Sequence, residues 1–325
     1  MSDPQDLNIP PELQPKPDDV SYDLDQALSS VLGIRSQIPD DAFTARTLGT
    51  ERGGNGVIIS KDGLVLTIGY LITEAEQIWL VDDTGRATSA HVVAYDQETG
   101  LGLIQALGHL DRPHLEIGSS ANLDVDEPVI VAGYGGRSHA IRAKVTAKRE
   151  FAGYWEYVLD EGIFTTPAHP NWGGTAVIGP DGTLRGVGSL YVQQTRDGRE
   201  QEDGNLVVPI DLLKPILDDM LRFGRVNRAA RPWLGMLTTE IDNRLVVAAI
   251  TDGTPANKAN IQVGDIVLSV AGDPVTHLAQ MFRRIWSLGD AGVSVPLTVL
   301  REGGMVEISV QSAARRDFLK SPSLH

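Results

Sequence analysis

The sequence predicts a mainly β protein built as two compact units. Three observations carry this reading. At 325 residues the chain is too long for one ordinary hydrophobic core. Between Gly54 and Val192, short β-prone runs alternate with turn signals, the pattern of barrels and sandwiches. From Pro232 to Ala314 a second series of such runs surrounds a single stretch of helical periodicity.

The elements follow in order. Residues 1–20 are acidic and contain Pro4, Pro10, Pro11, Pro15 and Pro17, too little apolar surface to offset ordering entropy, so a flexible tail is expected. Asp23–Leu32 places Leu24, Leu28 and Val31 on one side of a short helix. Gly56–Ser60 and Leu64–Thr67 flank Lys61-Asp62-Gly63 and predict a hairpin. Ile78–Val81, His91–Ala94, Pro128–Ala132 and Thr175–Ile178 predict further strands, and the polar run Thr195–Asp203 a hairpin tip in water. Leu213, Ile216, Leu217, Met220 and Leu221 have helical spacing, with Asp211 as N-cap and Gly224 as the stop. In the second unit, strands are expected at Leu245–Val247, Ile266–Val270, Val295–Val299 and Val306–Ile308, with a helix over Leu278–Leu288. The layout is thus a tail and short helix over 1–40, a first unit over 41–226, a second over 227–316 and a tail over 317–325.

Composition excludes several function classes. The net charge is -15, from 28 basic and 43 acidic residues, which argues against nucleic acid as a partner. There is no cysteine, so disulfides, thiol nucleophiles and thiolate-bound zinc are ruled out. The seven histidines have no metal-ligand spacing, and no cofactor or metal is expected. Gly133-Tyr134-Gly135-Gly136-Arg137 lacks the Lys-Ser/Thr of a phosphate loop. No run is long and apolar enough for membrane insertion. Met1-Ser2-Asp3-Pro4 opens no basic, apolar leader, which suggests the cytoplasm, or the periplasm if a native leader was trimmed.

The second unit carries the more specific motif. Thr254-Pro255-Ala256-Asn257-Lys258-Ala259-Asn260-Ile261-Gln262-Val263-Gly264-Asp265-Ile266-Val267-Leu268-Ser269-Val270 resembles the central block of bacterial PDZ domains, with Asn260 where Gly is usual. Asn tolerates the left-handed conformation that position implies. The resemblance implies a groove that takes carboxyl-terminal or extended peptides of other proteins. A peptide adds as a strand, and backbone N–H groups of Trp233-Leu234-Gly235-Met236 hold its carboxylate. The other wall would be Leu278, Phe282 and Ile285, a spacing that also suits plain core.

The first unit resembles the HtrA/Deg family of trypsin-like serine proteases. The match rests on Gly54–Ile59, Leu66–Ile72, Thr99–Ile104, Leu115–Gly118, Pro170–Thr175, Pro180-Asp181-Gly182 and Gly204–Ile210. It implies a trypsin-like double β-barrel followed by one PDZ domain. It also implies that Tyr70, Gly100 and Trp172 stand at the positions of the His, Asp and Ser of the triad. The nucleophile block aligns in two ways. Agreement with Asn171 and the Gly173-Gly174 pair puts Trp172 at the Ser position and is preferred, while an ungapped match to Asp181-Gly182 puts Gly173 there.

Acyl transfer needs a hydroxyl nucleophile, an imidazole base and a carboxylate that orients it. A phenol titrating near roughly 10 is no base at neutral pH. Glycine and tryptophan supply neither carboxylate nor nucleophile. His169, Thr165, Thr166, Thr175, Asp96 and Glu98 are the nearest stand-ins, with His169 expected as a solvated loop residue. The sequence therefore favours a pseudoprotease that binds peptides as a scaffold. The alternatives are an endopeptidase with a rearranged site and a holdase-like chaperone. Family members often form trimers through their amino-terminal segments, which leaves a homo-oligomer open.

Overall fold

The computed structural model describes residues 9–196 and 200–320. The chain divides into two compact units, one of residues 1–149, 161–226 and 320–325, the other of residues 150–160 and 227–319.

The first unit holds two closed six-stranded barrels. Helix α1 (Leu24–Leu28) is capped by the Asp23 side chain, which accepts from Gln26 N–H. It ends sooner than the expected Asp23–Leu32 because Val31 already starts strand β1 (Val31–Gln37). Then come the short helix α2 (Ala45–Leu48), β2 (Glu51–Ile58), β3 (Leu64–Ile68), β4 (Gln77–Val81), β5 (Ala87–Tyr95) and β6 (Leu101–Ala106). Their order around the barrel is β1-β2-β3-β6-β5-β4, closed by β1 against β4. Gly63 turns β2 into β3 at φ +78°, as the Asp-Gly signal requires.

The second barrel comprises β7 (Pro128–Ala132), β8 (Ala140–Gly153), β9 (Tyr157–Thr166), β10 (Ala176–Ile178), β11 (Leu184–Arg196) and β12 (Glu200–Pro209) in the order β10-β11-β12-β9-β8-β7. Part of the expected tip at Thr195–Asp203 lies outside the described residues; the flanking strands pair from Gly186↔Pro209 to Arg196↔Glu200. Val129, Val131, Ile141, Val145, Ile163, Val177 and Val207 form this barrel's core. Residues 9–20 are not the free tail expected. Ile9 is buried in that core, its N–H donates to Ser138 O, and Leu13 O accepts from Arg142 N–H. Two apolar residues among the prolines suffice to dock the segment. Helix α3 (Leu217–Phe223) closes the unit and stops at Gly224 with φ +65°. Asp211 does not cap it. Its carboxylate instead accepts from the Ser119 and Ser120 hydroxyls and from Ala121 N–H.

The second unit has β13 (Met236–Ile241), β14 (Arg244–Ile250), α4 (Pro255–Lys258), β15 (Ile266–Val270), β16 (Asp273–Pro274), α5 (Leu278–Trp286), β17 (Ser294–Arg301) and β18 (Gly304–Gln311). The sheet runs β13-β14-β15-β17-β18, with β16 paired to β15. Pro255 opens α4, and Asn260 takes φ +61° after it, the left-handed step that motif needs. Asp265, almost fully buried, forms a two-point pair with Arg301 and accepts from Gln262 N–H, so the turn into β15 is held by charge. Residues 315–318 form a turn, and Phe318 packs on Trp233 at 4.9 Å rather than trailing free.

Candidate functional site

In the first unit the residues singled out by motif converge. Thr67 and Ile68 end β3, and Gly69–Leu71 form one 3-10 turn that presents Tyr70. Gly69 N–H donates to Gly100 O at 2.7 Å, so the second motif sits against the first. The Tyr70 hydroxyl donates to Ser189 O at 2.8 Å, and Trp172 hydrogen-bonds to the same hydroxyl. Burial pushes the phenol well above its ordinary range, and the Trp172 bond only partly offsets this. Gly173 faces Tyr70 directly: a Cβ on Gly173 would stand 2.7 Å from the Tyr70 hydroxyl oxygen. The Trp172 ring also tilts against Tyr191, with centroids 5.6 Å apart.

The loop carrying Trp172 and Gly173 is clamped by Asn55, a residue that sequence reading did not flag. Asn55 is fully buried on β2. Its Nδ2 donates to Asn171 O and Gly173 O, its backbone N–H donates to Gly173 O, and its Oδ1 accepts from Tyr134 N–H. Arg52 is a second missed support. Its guanidinium donates to Tyr70 O, Thr73 O and Thr44 Oγ1, and burial lowers it to about 10. Neither belongs to a reactive motif, so only a buried polar residue inside a β run could have signalled them.

His169 is not solvated. It is buried, and both ring nitrogens are engaged. Asn171 N–H donates to Nδ1 at 3.1 Å, which leaves the proton on Nε2 to donate to His139 O at 2.9 Å. Burial drops it to about 4, so the ring is neutral at pH 7. Thr175 Oγ1 donates to Trp172 O, and Thr166 Oγ1 to Asp203 O. Asp96 accepts from Thr99 N–H in the turn that delivers Gly100.

In the second unit Trp233-Leu234-Gly235-Met236 forms a braced loop. Gly235 has φ +75°, and a Cβ there would stand 2.5 Å from Thr254 Cβ, so both conformation and space require glycine. Thr254 Oγ1 reaches Gly235 O, and Ala256 N–H donates to Leu234 O. The Leu234 and Gly235 N–H groups converge on one carboxylate, that of Glu156, at 3.1 and 2.8 Å. Burial pushes this carboxyl up to about 7, against the pull of the Gly235, Leu234 and Met236 amides and of Arg315. Leu278, Phe282 and Ile285 are buried together with Leu234, Met236 and Val158 in the unit's core. They are core residues, and they also back the loop. Among the described residues no acidic or histidine cluster could hold a metal, and no helix is long and apolar enough to cross a membrane.

Comparison with known proteins agrees with both units. A trypsin-like peptidase domain model matches residues 54–187, and a PDZ domain model matches residues 232–311. A probable periplasmic serine endoprotease DegP-like from Pseudomonas fulva is 28% identical over 79% of this chain and 55% of its own length. The chain thus spans about half the length of the curated relatives it matches. Among solved structures, an HtrA-type protease AlgW with decapeptide has a TM-score of 0.52 at 17% identity, covering 93% of this chain and 100% of that one. The serine endoprotease from Yersinia pestis gives a TM-score of 0.50 at 22% identity, covering 90% and 98%. The chain therefore carries a trypsin-like peptidase domain followed by one PDZ domain, and its curated homologues are DegP-like serine endoproteases.

Proposed function

We propose that this chain is a non-catalytic HtrA-like protein that binds carboxyl-terminal or extended peptides through its PDZ domain. The apposition of Tyr70 and Gly173 carries the non-catalytic part. Where a hydroxyl and an imidazole would exchange a proton, a phenol held by Ser189 O faces a bare Cα, and Gly100 contributes only its backbone. On this reading Gly173 marks the nucleophile position, and Trp172 is the residue before it.

The oxyanion donors support the same reading. In this fold they are the N–H of the nucleophile and of the residue two before it. Counted from Gly173 the second donor is Asn171 N–H, which is spent on His169 Nδ1. Counted from Trp172 it is Pro170, which has no N–H. His169 cannot step in as base, because the lone pair on Nδ1 and the proton on Nε2 are both committed.

Peptide binding is supported by the loop at Leu234 and Gly235, which aims two N–H groups at one carboxylate above an apolar floor. The peptides named with AlgW are in line with it. The periplasmic description of the curated relatives supports the periplasmic of the two locations considered.

The test is incubation of the pure chain with unfolded casein and with a serine-directed fluorophosphonate. No cleavage and no labelling are expected. Cleavage that disappears in His169→Ala or Thr175→Ala would overturn the reading in favour of a rearranged endopeptidase.

A further inference from the structure

The carboxylate at the PDZ loop comes from the chain itself. Residues 150–160, between the barrel portions of β8 and β9, belong to the PDZ unit. They meet each requirement that a bound peptide would meet. Glu156 gives a carboxylate to Leu234 and Gly235 N–H. Tyr154 O accepts from Thr238 N–H at 3.1 Å, a backbone bond to β13, the strand a peptide would extend. Val158 supplies a buried apolar side chain to the cluster of Leu234, Met236, Leu278, Phe282 and Ile285. Arg283, on α5, grips both ends, with Glu150 at 2.5 Å and Asp160 at 2.6 Å.

Two further features set this segment apart from ordinary packing. Glu156 holds φ +61°, a left-handed conformation uncommon for a residue that carries a Cβ. Nothing in a β turn needs a glutamate at that point, since an exposed Asn or Gly would turn the chain at less cost. The side chain is instead turned inward, 7% exposed, onto the two amides of the loop. Trp155 stacks on Tyr157 at 5.7 Å, and Gly153 lies against the Trp155 ring, so the segment is stiffened by its own aromatic residues.

We propose that residues 151–158 are a built-in ligand of the PDZ groove, and that a peptide ending in an apolar residue with a free carboxylate binds by displacing them. The proposal rests on the peptide-binding reading above and adds its regulation. The groove then answers only to ligands that outcompete a covalently tethered rival. Their apparent affinity is the intrinsic affinity reduced by the fraction of chains whose segment is out.

The experiment uses the full chain and a short labelled peptide ending in valine, with binding read by anisotropy and amide exchange read by mass spectrometry. Glu156→Ala removes the tethered carboxylate and is expected to bind the peptide about tenfold or more tightly than the unmodified chain. Arg283→Ala frees both ends of the segment at an exposed site and is expected to tighten binding several-fold, which keeps the test valid if Glu156→Ala folds poorly. In the unmodified chain, adding peptide should raise exchange across residues 151–158. Equal affinity in all three chains, with exchange of 151–158 unmoved by peptide, overturns the built-in ligand while leaving peptide binding intact. No binding to any of them, with the amides of Leu234 and Gly235 exchanging freely in Glu156→Ala, overturns the peptide-binding reading itself.

Discussion

Gly173 and Tyr70 explain each other. A Cβ at Gly173 would stand 2.7 Å from the Tyr70 hydroxyl oxygen, closer than packed atoms allow, so the Tyr70 phenol leaves room only for glycine there. Reversing both should reopen the site. Tyr70→His with Gly100→Asp and Gly173→Ser is expected to label slowly with a fluorophosphonate. The same set with Trp172→Ser instead of Gly173→Ser should not label. Labelling should remain about 100-fold or more below an intact protease while Asn171 N–H stays bound to His169. Labelling of the Trp172→Ser set alone would return the nucleophile position to Trp172. His169 gives a second prediction. Its folded value of about 4 lies below the unfolded value of about 6.5, so between those values the unfolded chain binds the extra proton. Its contribution to stability is therefore full above pH 6.5 and declines as pH falls toward 4, by about 3 kcal/mol in all. Urea midpoints at pH 7 and pH 4.5 should diverge more in the parent than in His169→Asn.

At the scale of elements, what could be read in the sequence was what has local physics. The β2–β3 turn, the strands at Ile78–Val81 and Val295–Val299, α5, Gly224 and the left-handed Asn260 each follow from turn chemistry or periodicity within a few residues. Strand β1 was hidden because Val31 and Leu32 also completed a helical stripe, and β8 because Arg142, Lys144, Lys148 and Arg149 interrupt it with charge. The tight loop at Leu234-Gly235 was expected from the sequence as the carboxylate-holding loop, and in the structure its N–H groups reach the Glu156 carboxylate. The structure adds why Gly235 cannot change: Gly235→Val would drive Cβ into Thr254 at a positive φ. It should abolish peptide binding in the anisotropy assay. Amidating the peptide terminus should weaken binding to the parent chain. The turn into β15 depends on the Asp265–Arg301 pair in the same way. Asp265→Ala leaves Arg301 without its carboxylate and Gln262 N–H without an acceptor, and should cost the PDZ unit about 3 kcal/mol by urea denaturation.

At the scale of the whole molecule, the barrel frame around Tyr70, Gly100 and Trp172 was legible from its local motifs, whereas the contact of Glu156 with the PDZ loop was not. Glu156 lies 78 residues from Leu234 along the chain, and no periodicity or spacing links them. Only the fold brings a surface-type residue to a buried loop. That placement makes the groove proton-linked. The seated carboxyl has a value near 7, against about 4.3 for a free glutamate, so seating takes up a proton between those limits. An acid whose value rises on burial is favoured in its buried place as pH falls through that value. The seated segment should therefore gain about tenfold between pH 8 and pH 6, and the apparent affinity of a competing peptide should fall by the same factor. The charges facing the segment are Arg315 at Glu156 and Arg283 between Glu150 and Asp160, and guanidinium groups keep their charge throughout this range. A peptide's own terminal carboxylate, with a reference value about one unit below that of glutamate, is ionised at both pH values when free in solution. Binding isotherms at pH 8 and pH 6 should thus separate for the parent chain and coincide for Glu156→Ala. Isotherms that shift equally in both chains would place the proton elsewhere and detach Glu156 from the control of the groove.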